Sequence, residues 1–182
     1  MIDILASVSG RSLLDVTDAA ARQAGEILKK HFRGNNRVEV KGKSNLVTQV
    51  DEMAEKAVLA VLTSEFPQFG VLSEETNNKN SLTGYRLIVD PLDGTNNYVY
   101  GIPFFCVNIA LAKDGVPLFG LTYYPIHDER FHAESGSGAF LNGIKIQVSG
   151  RATLDKAILG LDIGYDVSLG DEVLNLTRHI RP

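Results

Sequence analysis

Residues 104–149 read FFCVNIALAKDGVPLFGLTYYPIHDERFHAESGSGAFLNGIKIQVS, and this stretch decides the fold class. Short apolar runs alternate with turn residues: KDG at 113–115, PIHDE at 125–129, SGSG at 135–138 and NG at 142–143. Asp-Gly and Asn-Gly pairs between such runs are hairpin signals, so the stretch predicts consecutive strands with antiparallel neighbours. FFCVNIALA is apolar on both faces, which predicts a strand covered on both.

Upstream the pattern changes to a helical one. Residues 12–32 place Leu14, Ala21, Ile27, Leu28 and Phe32 near one face, with Ser12 or Asp15 as the cap and Gly34 beyond the end. A second amphipathic helix is predicted from Val50 or Asp51 to Phe66, stopped by Pro67. Between and after these lie strand-like runs at 37–43 (RVEVKGK), 70–75 (GVLSEE) and 85–91 (YRLIVDP), with TNNKNS at 76–81 as a polar loop. Downstream, KAILGLDIG (156–164) reads as a further strand and SLGDEVLNLTRHI (168–180) as a last helix. The expectation is an α+β fold, or layered α/β sandwich: two N-terminal helices on a largely antiparallel sheet, one domain over residues 1–182.

The 182 residues are 44% hydrophobic and 22% charged, ordinary globular proportions with enough chain for one core. A net charge of −4 argues against nucleic-acid binding, which needs a basic surface. The single cysteine, Cys106, excludes an internal disulfide and reads as a buried structural thiol. The N-terminus lacks a basic stretch before its short apolar run, and no apolar run reaches the roughly 18 residues a membrane span needs. No signal peptide and no membrane association are therefore expected, and the reading is a cytoplasmic protein.

The acids stand out because they gather where strands end. Glu74 and Glu75 follow VLS, Asp90 and Asp93 flank Pro91-Leu92, and Asp51 opens a helix. Proline at 91 keeps the preceding residues extended, and Gly94-Thr95 leads into a short helix ended by Gly101. Helix-start N–H groups bind phosphate, and paired carboxylates beside them can hold Mg²⁺ against its oxygens. The plainer reading is that Asp90 and Asp93 shape a turn and cap the helix, while Glu74-Glu75, Lys41 and Lys43 are solvated surface charges. The joint occurrence favours the site. No G-x-S-x-G elbow supports a serine hydrolase, the glycines of ESGSGAFLNG belong to hairpin turns, and the four histidines lack metal-ligand spacing. His127 and His132, five apart, are expected on opposite sides of a hairpin.

VDPLDGTNNYVYGIPFF, preceded by VLSEE and KGKSNLVTQVDEMAE and followed by GSGAFLNG and IQVS, resembles the inositol monophosphatase family. These are Mg²⁺-dependent, lithium-sensitive sugar-phosphate phosphatases, wider kin of fructose-1,6-bisphosphatase. The resemblance covers about residues 12–150, and it implies the sugar-phosphatase sandwich. It also implies a Mg²⁺-dependent phosphomonoesterase acting on inositol monophosphate or a related sugar phosphate through a metal-activated water, with two to three ions. Glu74, Asp90 and the Leu92 carbonyl would hold the first metal, Asp90 and Asp93 a second, and Asp51 with Glu74 a weaker third. Thr95, near Asp51, would orient and deprotonate the water. The N–H groups of Gly94 and Thr95, with Asn96, would hold the phosphate, and Lys41 or Lys43 matches the family's loop lysine. A homodimer is implied as well.

Two departures stand beside the match. The family runs on for about another third of its length, which carries a further strand-and-helix layer and a tryptophan-aspartate pair, and this chain has no Trp. A shortened chain lacking that C-terminal layer is the expectation. Tyr124 also replaces a polar residue before Pro125. Two other functions stay open: a binding or regulatory module that keeps the fold without turnover, and an aspartyl-phosphate phosphatase, whose D-x-D-G-T motif differs from DPLDGT by one residue of spacing.

Overall fold

The computed structural model describes residues 7–34, 37–40, 46–74, 83–161 and 167–180. Helix α1 (Leu13–His31) starts where Ser12, extended at φ −67° and ψ 158°, accepts a hydrogen bond from the Asp15 N–H at 3.1 Å. That bond satisfies one donor the first turn leaves open, and Lys29, Lys30 and His31 sit favourably at the negative end of the helix dipole. Strands β1 (Val38–Val40) and β2 (Leu46–Thr48) form a two-stranded sheet. Helix α2 (Gln49–Glu65) begins slightly earlier than the sequence predicts, because Thr48 is its cap and Asp51 completes a reciprocal capping box.

Among the described residues the main sheet has seven strands in strict chain order: β3 (Gly70–Ser73), β4 (Tyr85–Asp93), β5 (Cys106–Lys113), β6 (Val116–Tyr124), β7 (Glu129–Glu134), β8 (Gly138–Leu141) and β9 (Ile144–Ile146). All pairs from β4 onward are antiparallel, as the hairpin signals predict; only β3 runs parallel to β4. The α+β layering stands.

Side chains alternate across this sheet. Leu87, Val89, Val107, Ile109, Leu111, Phe119, Leu121 and Tyr123 are buried against the helices. α1 answers with Val16, Ala20, Ala21, Ala24 and Leu28, and α2 with Ala54, Val58 and Leu62. The interface is close enough that a Cβ added to Gly25 of α1 would lie 2.6 Å from the Tyr123 ring. A short helix α3 (Thr95–Val99) is tied to α1 by the buried Tyr98 hydroxyl, which donates to the Leu28 carbonyl at 2.8 Å.

Contacts divide the chain into two units: Met1–Glu39 with Leu46–Ile146, and Val40–Asn45 with Gln147–Pro182. The second unit contains a 3₁₀ turn (Leu154–Lys156) and helix α4 (Val167–His179), where the last helix was expected. The strand expected at 156–164 is a correction. Lys156 belongs to the 3₁₀ turn, residues 157–161 are irregular and exposed, and 162–164 lie outside the described residues. A strand needs a ladder partner, and Ile158, 91% exposed, has neither ladder nor cover. Among the described residues no helix is long and apolar enough to cross a membrane.

Candidate functional site

Asp90 and Asp93 are three residues apart, and a regular strand would point them to opposite faces. The sheet register removes that conflict. Asp90 pairs with Asn108 and Asp93 with Cys106, so three steps along β4 match two along β5. The extra residue is a β-bulge at Pro91-Leu92, and bulges re-aim side chains in this way. Both carboxylates therefore come to the side of the sheet that carries Asn108 and Cys106. Pro91 fits here because a bulged segment forgoes a ladder bond, and proline has no N–H to offer.

Glu74 enters from the end of β3, its N–H bonded to the Val89 carbonyl at 3.1 Å. Burial, then the negative charges of Glu74 and Asp93, then a hydrogen bond to Glu74 push the Asp90 carboxyl up to about 7. A carboxyl driven to keep its proton by burial and by neighbouring carboxylates is one that a cation would relieve. All the donors are hard oxygens, which suits Mg²⁺ or Ca²⁺. Among the described residues no three acidic, histidine or cysteine side chains close into a cage by themselves. Mg²⁺ is a cation that accepts one or two carboxylates when water and substrate oxygens complete its sphere.

Behind this cluster stands a second pair. Asp51 is 1% exposed, and its Oδ2 accepts from the Thr48 N–H at 2.8 Å and the Thr48 hydroxyl at 2.6 Å. Its Oδ1 lies 3.2 Å from Thr95 Oγ1, which is also 3.0 Å from the Leu92 carbonyl oxygen. Burial raises the Asp51 carboxyl above the ordinary carboxylate value, and the donors from Thr48 and Thr95 hold it partly down. Asp51 thus both caps α2, as the plainer reading has it, and reaches Thr95.

Gly94 is the residue that lets β4 turn into α3. Its φ of +89° is left-handed, and an added Cβ would meet the Phe104 carbonyl oxygen at 3.0 Å. The first turn of α3 holds Thr95 and Asn96, whose N–H groups fall outside the helix's own ladder. Thr95, Asp51, Leu92, Asp90, Asp93, Gly94, Asn96 and Glu74 are all near this strand end. Lys41, Lys43 and Glu75 lie outside the described residues.

Sequence reasoning passed over two neighbours, Asn108 and Thr122, and read a third, Cys106, as a buried structural thiol. Asn108 donates to Asp93, Thr122 donates to Asn108, and Cys106 is half-buried against Asp93 rather than buried in the core. Burial and the nearby Asp93 and Asp90 push its thiol up to about 12, so it stays protonated. One signal was present: Asn108 is a polar residue set inside an apolar run. Tyr124 closes the adjoining loop, its hydroxyl donating to the Pro103 carbonyl and its ring meeting Phe104 edge-on. A groove of about 750 Å³, lined by Leu72, Ile88, Asp90, Asn108, Gly120 and Thr122 among others, runs over the sheet from the acids.

Against known proteins, the profile of the inositol monophosphatase family matches residues 10–170. The chain belongs to the inositol monophosphatase family. It is 42% identical over 160 residues to inositol monophosphatase 3 of Solanum lycopersicum, covering 86% of this chain and 60% of that protein. The crystal structure of extragenic suppressor protein suhB from Bartonella henselae shares 42% identity at a TM-score of 0.74, over 79% of this chain and 57% of that one. An IMPase/NADP phosphatase complexed with NADP and Ca²⁺ shares 26% at a TM-score of 0.71, over 80% and 56%. The chain spans about 60% of the length of the tomato relative.

Proposed function

We propose that this chain carries the metal and phosphate site of a Mg²⁺-dependent phosphomonoesterase acting on inositol monophosphate or a related sugar phosphate. The observation that carries the reading is the bulge at Pro91-Leu92, which gathers Asp90 and Asp93 beside Glu74 and leaves Asp90 in need of a counter-charge. Family membership supplies the substrate class, and the Ca²⁺ held by the NADP phosphatase relative supports a divalent cation.

Glu74, Asp90, Asp93 and the Leu92 carbonyl would hold the ions, with Asp51 and Glu74 near a weaker third. When bound, divalent cations supply charge stabilisation to the attacking and leaving oxygens of an in-line displacement. The chain's own part is proton handling and orientation. Thr95 Oγ1 has one proton and can hand it to Asp51 Oδ1 while accepting another from the attacking water. A buried Asp51 with a raised pKa is a willing acceptor, and Thr48 keeps its other oxygen fixed. The Gly94 and Thr95 N–H groups, with Asn96, would orient the phosphate at the start of α3, with Lys41 or Lys43 as the loop lysine. The same proposal includes a cytoplasmic location and, for the full-length protein, a homodimer.

Release of phosphate from inositol monophosphate, measured with Mg²⁺ and with EDTA, tests the reading. Mg²⁺-dependent release that Asp90→Asn abolishes is expected. Metal-independent release would overturn it, and binding of the sugar phosphate without turnover would favour a regulatory module.

A further inference from the structure

Asp93 is exposed at the end of β4, where a carboxylate would ordinarily sample several rotamers. Here β5 holds it. Asn108 Nδ2 donates to Asp93 Oδ2 at 2.9 Å, and the Cys106 sulfur lies 3.8 Å from the same oxygen. The amide is itself fixed, because Asn108 Oδ1 accepts from Thr122 Oγ1 at 2.6 Å, and Thr122 is its cross-strand partner on β6. An ionised carboxylate can only accept. The amide nitrogen must therefore face Asp93, leaving its oxygen to the threonine hydroxyl. Each link specifies the next.

We propose that Asn108, locked by Thr122, is a positioning residue that orients the Asp93 carboxylate for the metal. The inference rests on the reading of Asp93 as a metal ligand given above. Its physical content is pre-organisation. With Oδ2 held by a donor from β5, Oδ1 stays available, and less side-chain freedom is lost when the ion arrives. The role given to Asn108 is indirect. It acts through Asp93, and Thr122 acts through Asn108.

The test uses the 182-residue chain and three variants: Asn108→Leu, the near-isosteric Thr122→Val, and the double variant. Circular dichroism establishes that each is folded, and calorimetric titration with MgCl₂ then reads the affinity. Asn108→Leu is expected to weaken Mg²⁺ binding by about ten- to a hundred-fold, the range for groups that hold a metal ligand in place. Thr122→Val should weaken it less. The double variant should bind as Asn108→Leu does, since a hydroxyl that works only through the amide has nothing left to hold. In turnover assays the Mg²⁺ needed for half-maximal rate should rise while kcat recovers at saturating metal. A purely structural role would instead lower the unfolding temperature at unchanged affinity. Affinity in Asn108→Leu equal to that of the wild type, or additive losses in the double variant, would overturn the inference. Wild-type protein that takes up no Mg²⁺ would overturn the metal reading itself, a failure visible before any variant is made.

Discussion

Asp90 concentrates the electrostatic tension of the site in one side chain, and its pH behaviour follows with a definite sign. Its folded value of about 7 lies above the ordinary 3.8, so the metal-free folded protein keeps a proton that the unfolded chain releases. The stabilisation is fully present below about pH 4 and is lost as pH rises through 7. Asp90→Asn is neutral throughout. Without metal at pH 8 it should melt a few degrees above the wild type, since about 1 kcal/mol moves the midpoint of a chain this size by roughly 2–4 °C. At pH 4 the two should coincide. Scanning calorimetry in EDTA checks this, and equal midpoints at pH 8 would show that Asp90 feels no crowding. Thr95 is a different case, because the proposed role gives its hydroxyl to the water and not to the ion. Thr95→Ala is expected to lower kcat by about two to four powers of ten with Mg²⁺ affinity little changed. Thr95→Ser should retain most of the rate. Stopped-flow phosphate release beside a Mg²⁺ titration separates the two effects.

Among the elements, α1 packs on β6 through Gly25, and here two rules oppose each other. Alanine suits a helix interior better than glycine by about 1 kcal/mol. Yet its Cβ would sit 2.6 Å from the Tyr123 ring. That ring cannot easily yield, because its hydroxyl donates to Asp128 at 2.9 Å and Arg22 lies over its face. Overpacking of this kind costs about 1–3 kcal/mol, so Gly25→Ala is expected to destabilise on balance, read by urea unfolding. A stabilised variant would mean that α1 can lift off the sheet. The same element shows what a sequence makes legible. The periodicity of 12–32 locates the helix and its Ser12 cap, because both are local. It does not reveal that Gly25 meets Tyr123, a contact made across the fold. The hairpins of 104–149 and the acids at strand ends were likewise legible from turn chemistry and position. The bulge was not, since it exists only in the register of β4 against β5. For that reason Asn108 and Thr122 escaped notice while Asp90 and Asp93 did not. Over its described residues, 156–161, the strand expected in KAILGLDIG failed for a related reason: apolar residues make a strand only beside a partner.

At the scale of the molecule, metal binding and folding should be linked. A cation that binds the folded chain and not the unfolded one raises stability by RT ln(1 + [L]/Kd), about 2.7 kcal/mol at a hundred times Kd. Mg²⁺ should therefore raise the melting temperature of the wild type progressively and leave Asp90→Asn nearly unmoved. At pH 8 their order would reverse between EDTA and saturating Mg²⁺. Differential scanning fluorimetry across a Mg²⁺ series reads this directly, and parallel curves for the two proteins would contradict the assignment of Asp90.

The main sheet keeps its strands in chain order from β3 to β9, and that order has a kinetic meaning. Each new strand needs to find only the one made just before it, so the loops closed along the way are short and their entropic cost is small. Asp90, Asp93, Asn108 and Thr122 all lie on β4, β5 and β6, and their alignment can form as soon as those strands pair. Asp51 arrives from farther back in the chain, on α2. Folding would thus assemble the acidic edge first and couple it to its threonine only when the helix layer docks.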